Sequence, residues 1–115
     1  MTRRGDIWWA EVDNPPSAQV RRPVLIVSAD SFNRSRISTV VAVTISSDLR
    51  LADAPGNVDL PTSESGLPTR SVINVAHIIT LAKIDLDAWV VRISDDRLRR
   101  VEAGLRLALQ LGPSS

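Results

Sequence analysis

Pro23-Val24-Leu25-Ile26-Val27-Ser28 is a continuous apolar run rich in β-branched residues, and Val40-Val41-Ala42-Val43-Thr44-Ile45 has the same character. Runs of this length bounded by polar, turn-forming residues read as buried strands. Pro23 suits the first residue of its strand, where a missing N–H is tolerated. Two such strands put a sheet at the centre of the fold, and the rest of the sequence arranges itself around them.

Upstream, Ile7 to Val12 is a shorter β-rich run, preceded by Gly5 and followed by Asp13-Asn14-Pro15-Pro16. It predicts a strand running into a loop, with polar Ser17-Ala18-Gln19 carrying that loop on to Arg21. Ser28 to Arg36 is polar and has room for one helical turn. Downstream, Ser46 to Pro55 reads as a loop, Val58 to Leu60 as a short strand and Pro61 to Pro68 as a second loop. Ser71 to Leu81 has strand length, interrupted by polar Asn74 and His77, and Trp89 to Ile93 is the last β run.

The final element follows another period. Ser94 is a good N-cap, and Asp95 and Asp96 put negative charge where a helix dipole favours it. Leu98, Val101, Leu105, Ala108 and Leu109 recur at helical spacing opposite Arg97, Arg99, Arg100 and Arg106, a solvated face. Gly112-Pro113 is expected to end the helix. Four or five short strands, long loops and one terminal helix predict a mainly β domain spanning residues 1–115. Its expected form is a small curled sheet or barrel with the helix closing one end.

Composition restricts the chemistry. The absence of cysteine excludes disulfides, thiolate nucleophiles and cysteine zinc sites. A single histidine, His77, excludes metal sites built on a histidine pair and acid–base mechanisms that need two histidines. Formal net charge is +1, so any nucleic-acid site must come from a local cluster of charge. Nearly every cation is arginine, with Lys83 the single lysine. Arginine grips phosphate bidentately, although a GC-rich genome explains the bias at least as well. No apolar stretch approaches the roughly 18 residues of a membrane span, and the N-terminal segment does not read as a secretory signal. The expectation is a cytoplasmic protein without membrane contact.

Taken in order, five segments resemble the successive motifs of the MazF/PemK-like toxin family, endoribonucleases of type II toxin–antitoxin systems. They are Arg4-Gly5-Asp6-Ile7-Trp8; Arg22-Pro23-Val24-Leu25-Ile26-Val27-Ser28 with Asn33 after it; Val41-Ala42-Val43-Thr44; Gly66-Leu67-Pro68-Thr69-Arg70-Ser71-Val72; and Ile78-Ile79-Thr80-Leu81. The resemblance implies an SH3-like small barrel, the CcdB/MazF-type plasmid maintenance toxin fold, that forms a homodimer. It implies a sequence-specific endoribonuclease that cuts single-stranded RNA without metal or other cofactor. It also implies a cognate, MazE-like antitoxin lying across the RNA groove. Matched onto the motifs, the catalytic roles fall to Arg22 and Thr44, and the RNA-binding candidates are Ser17, Gln19, Arg21, Ser46 and His77. The sequence departs from many relatives at two places. A glutamate before the Arg-Pro pair is replaced by Ser17-Ala18-Gln19-Val20, and a glutamate–glutamine pair before the Ile-x-Thr step by Ala76-His77. These departures leave the general base unassigned.

RNA cleavage by the neighbouring 2′-hydroxyl yields a 2′,3′-cyclic phosphate and a 5′-hydroxyl. It needs charge stabilisation on the phosphorane, a base for the nucleophile and an acid for the leaving oxygen. The guanidinium of Arg22 suits the first task, and the Thr44 hydroxyl both donates and accepts. Each residue has a plainer reading: Arg22 as a solvated loop charge, Thr44 as a β-former, His77 as a structural histidine. Trp8 and Trp9 are adjacent on a strand, so one faces inward, and the outward one is a candidate for base stacking or a dimer interface. A second functional reading is a non-catalytic, gyrase-binding toxin resembling CcdB. Such toxins end in an apolar, tryptophan-containing tail, unlike Leu111-Gly112-Pro113-Ser114-Ser115. A third, a peptide-binding barrel, needs more aromatic residues than three Trp, one Phe and no Tyr supply.

Overall fold

The structure is a computed structural model that describes residues 2–14 and 17–112, with the backbone alone for residues 14 and 17–19. Its strands are β1 (Asp6–Asn14), β2 (Ser17–Ile26), β3 (Thr39–Ser46), β4 (Val58–Leu60), β5 (Ser71–Ala82) and β6 (Leu86–Arg92). Single-turn helices α1 (Asp30–Arg34) and α2 (Thr62–Ser65) sit in the connections, and α3 (Asp95–Leu109) ends the order. Leu49–Asp53 and Lys83–Asp85 form 3-10 turns. Among the described residues the strands pair antiparallel in the order β4-β5-β3-β2-β1-β6. The sheet curls into a half-barrel with β4 and β6 as its edges and the terminal helix packed against it, in agreement with the small-barrel expectation.

Several elements begin earlier than the sequence suggests. Residues 17–22, expected as loop, form the first half of β2, with Val12 opposite Val20 and Ala10 opposite Arg22. Polar residues can occupy a strand arm that backbone bonds to its neighbour hold in place, without an apolar pattern to reveal it. Pro23 is therefore mid-strand, but it lies one residue before the pairing of β2 with β3 begins at Val24, so it still stands at the end of a ladder. Strand β6 starts at Leu86 rather than Trp89, and the described sheet has six strands rather than four or five.

Both faces of the central strands are buried. Ile7, Leu25, Val43, Ile45, Ile73 and Val75 pack with Leu98 and Val101 of α3 on one side. On the other, Ala10, Val12, Val24, Ile26, Val40 and Ala42 pack with Leu81. Burial on alternate faces explains why these strands are continuously apolar rather than alternating. Trp9 packs partly buried on the first side and Trp8 on the second, so neither is the exposed aromatic. That surface belongs to Trp89 of β6, which is 55% exposed.

The ends of the chain are tied together at Gly5. Its φ of +94° suits glycine, its N–H donates to the Ile26 carbonyl at 2.8 Å, and its carbonyl accepts from Ile93 N–H at 3.0 Å. Helix α3 is capped as expected by the Ser94 side chain, which accepts from Arg97 N–H. It ends at Gln110 (φ +56°) rather than at Gly112, with Leu111 N–H returning to the Arg106 carbonyl at 2.9 Å, a Schellman-type closure. Arg97 is not part of a wet face. Its guanidinium pairs with Glu64 of α2 and donates to the Asp59 carbonyl of β4, while Ser94 N–H donates to Glu64 at 2.8 Å. One partly buried carboxylate thus ties the start of α3 to the β4 edge. Helix α3 then crosses the Gly56 turn so closely that only glycine fits at Gly104: a Cβ there would lie 2.1 Å from the Gly56 carbonyl oxygen.

Candidate active site

Arg22 reaches the site from the middle of β2. Val24 pairs directly with Thr44, and Arg22, two residues earlier, shares the face of Val24 because side chains alternate along a strand. Ser46, two residues after Thr44 in β3, alternates onto the same face as Thr44. The arginine is half-buried, and among the described residues no carboxylate pairs with it. A half-buried, unneutralised guanidinium is a ready anion site.

Thr44 is buried, 1% exposed, yet its hydroxyl is not idle: Oγ1 lies 2.9 Å from Nδ1 of His77. The contact depends on an irregularity in β5. Val43 pairs with Ile78 while Thr44 pairs with Asn74, so Val75, Ala76 and His77 stand against a single step of β3. Such bulges re-aim side chains, and this one turns the ring of His77 onto Thr44 while leaving the residue exposed. Asn57 holds the bulge: its Oδ1 accepts from Val75 N–H at 3.0 Å, and its Nδ2 donates to the Leu51 carbonyl at 2.9 Å. The sequence alone assigns Asn57 no role. Its position after Gly56, whose φ is +84°, was the available signal.

Arg21 has a different environment from its neighbour. It pairs with Asp87 at 2.7 Å, and its guanidinium carbon lies 4.6 Å from the centre of the Trp9 ring, a cation–π stack. A cavity of about 260 Å³ opens beside it, lined by Trp9, Arg21, Arg22, Pro68, Thr69 and Ser71 among others. By strand alternation Arg22, Thr44 and Ser46 share one face, where His77 is hydrogen-bonded to Thr44, while Arg21 lies on the opposite face of β2 beside the cavity. The side chains of Ser17 and Gln19 lie outside the described residues.

The arrangement puts a cation with no carboxylate partner among the described residues on the same strand face as a hydroxyl and an imidazole. Those are the groups that cleavage of a phosphodiester by an internal hydroxyl requires.

Residues 3–109 match the family described as PemK-like, MazF-like toxin of type II toxin-antitoxin system. The chain is 43% identical over 110 residues to Endoribonuclease MazF6 of Mycobacterium tuberculosis and, equally, to Endoribonuclease MazF2 of Mycobacterium bovis, covering 94% of this chain and 96% of each relative. Among solved structures, it superposes with a TM-score of 0.82 at 24% identity on a mycobacterial endoribonuclease in complex with its cognate antitoxin, covering 99% of this chain and 100% of that one. The Mycobacterium tuberculosis toxin MazF-mt6 gives 0.79 at 18% identity, covering 94% and 99%. These two likenesses concern the fold, whereas the family match and the 43% identity concern descent. By both sequence measures, the chain belongs to the PemK-like, MazF-like toxins of type II toxin–antitoxin systems.

Proposed function

We propose that this protein is an endoribonuclease toxin that cuts single-stranded RNA by attack of a 2′-hydroxyl on the adjacent phosphorus, without a metal. The observation that carries the reading is the grouping of unneutralised Arg22 with the Thr44–His77 pair on one face of the half-barrel. In this reading Arg22 holds two non-bridging phosphate oxygens and stabilises the charge that grows on them. Thr44 contributes its hydroxyl to the same phosphate. The further RNA contacts proposed are Ser17, Gln19, Arg21, Ser46 and His77. The products are a 2′,3′-cyclic phosphate and a 5′-hydroxyl.

The relatives named as endoribonucleases support the activity. A structural neighbour described in complex with its cognate antitoxin supports a protein partner that blocks the RNA groove. A MazE-like antitoxin, a homodimeric state, residence in the cytoplasm and one domain across residues 1–115 complete the proposal. No helix among the described residues is long and apolar enough to cross a membrane.

The deciding experiment is to incubate the purified protein with a pool of single-stranded RNA in EDTA and to sequence the ends. Cleavage with 5′-hydroxyl ends, abolished by Arg22→Ala, is expected. Intact RNA from a folded wild-type protein would overturn the proposal, and persistent toxicity of Arg22→Ala with gyrase-linked DNA breaks would favour a CcdB-like mode.

A further inference from the structure

We infer that His77 is the general base of this site, taking the proton from the attacking 2′-hydroxyl at Nε2; the inference rests on the endoribonuclease reading. Three observations lead there. His77 is the one histidine of the chain, and no other imidazole competes for the role. Its Nδ1 is held 2.9 Å from Thr44 Oγ1 by the β5 bulge, on the face that carries Arg22. The residue is exposed, so the ring edge away from Thr44 faces solvent and not the core.

The hydrogen bond engages Nδ1 with Thr44 and leaves Nε2 as the nitrogen available to the substrate. A base at Nε2 requires the proton on Nδ1, which then donates to Thr44 Oγ1. Thr44 accepts that bond and keeps its own O–H for the scissile phosphate. In the opposite arrangement the Thr44 proton is spent on Nδ1, and the phosphate loses a donor. The Nδ1–H to Oγ1 bond exists in both the neutral and the protonated ring, so the imidazole need not reorient during turnover. Arg22 cannot substitute as the base, since its resting guanidinium is already protonated; only an oxygen as basic as the leaving alkoxide can draw a proton from it.

The step balances as follows. Nε2 accepts the proton of the 2′-hydroxyl as the 2′-oxygen bonds to phosphorus. The bond from phosphorus to the 5′-oxygen breaks, and that oxygen takes a proton from the Arg22 guanidinium, which water replenishes. The ring then returns its proton to water. Asn57 enters as a positioning residue, through the bulge it holds and not through the substrate.

The test uses the full chain and the cleavage step mapped for the wild type. His77→Ala is expected to lower single-turnover cleavage at saturating RNA, where any change in affinity drops out, by about 10²-fold or more. His77→Gln retains a polar group for Thr44 but cannot take the proton, and should be as slow as His77→Ala. Added imidazole should restore cleavage by His77→Ala and do nothing for Arg22→Ala. A substrate whose 5′-leaving oxygen is replaced by sulfur, which needs no acid, separates the two proton transfers: the defect of His77→Ala should persist on it. Undiminished cleavage by His77→Ala, no gain with imidazole, or disappearance of the defect on the sulfur substrate overturns the assignment while leaving the nuclease reading standing. If the wild type cuts no RNA, both fall together.

Discussion

Arg21 and Arg22, neighbours in the chain, project from opposite faces of β2, and only Arg21 finds a carboxylate, that of Asp87 at 2.7 Å, among the described residues. The alternation of a strand thus converts a pair of identical side chains into one structural cation and one available to an anion. Arg22→Ala is expected to reduce cleavage by at least about 10²-fold, the usual effect of removing a preorganised charge from a transition state. Arg21→Ala should cost far less, because its charge is already neutralised and half in water. Parallel kinetics on the two variants, with thermal melts to show intact folds, check the contrast.

Thr44 separates shape from chemistry. Thr44→Val keeps the β-branched volume of a residue 1% exposed but removes the hydroxyl. Cleavage should fall by about 10²-fold, comparable to loss of one donor to the developing charge. Thr44→Ser, which keeps the oxygen, should stay close to wild type. Equal loss in both variants would mean that packing and not the hydroxyl matters.

Asn57→Ala should act at a distance. It leaves the Val75 N–H without its acceptor, which costs about 1–3 kcal/mol for a buried donor, and it frees the bulge that aims His77. Urea denaturation should show the stability loss, and cleavage should fall although residue 57 contacts no part of the proposed substrate path.

Gly104→Ala is expected to destabilise the fold by more than its size suggests. The added carbon would meet the Gly56 carbonyl oxygen at 2.1 Å, so backbone and not a flexible side chain must move. Overpacking of this kind costs about 1–3 kcal/mol, occasionally more. A shift of the urea midpoint to lower concentration is the measurement. Gly66→Ala is the contrast: a Cβ there meets nothing within 4 Å, so its cost comes from its φ of +69° alone.

Acid should loosen the closure of α3 onto β4. Burial pushes the Glu64 carboxyl up, but the Ser94 N–H and the Arg97 guanidinium more than offset it and hold it below its ordinary 4.5. A carboxyl with a depressed folded-state pKa contributes stability that is fully present above its unfolded value and is lost as pH falls through the folded one. The melting temperature of the wild type should therefore drop faster below about pH 4.5 than that of Glu64→Gln, and the two curves should run parallel above it.

Local pattern revealed the core and hid the connections. The two apolar runs mark the second half of β2 and most of β3, and Ser94 with its acidic followers marks the start of α3. Residues 17–22 resemble a loop in sequence because a polar strand arm shows its nature only through its partner, β1. The role of Arg97 depends on Glu64, and that of His77 on an irregularity in β5, and neither long-range contact leaves a local trace. Arg22 and Thr44 were recognisable from motif resemblance. Their shared face follows from register, which no single segment encodes.

The pairing of the first strand with the last, Asp6 against Arg92, has a temporal consequence. A growing chain that ends before β6 leaves β1 with an open edge and α3, the cover of one core, unmade. Contacts so distant in sequence place folding among slow, non-local topologies. The sheet and the core that α3 covers are therefore complete only once the last strand and helix have been made.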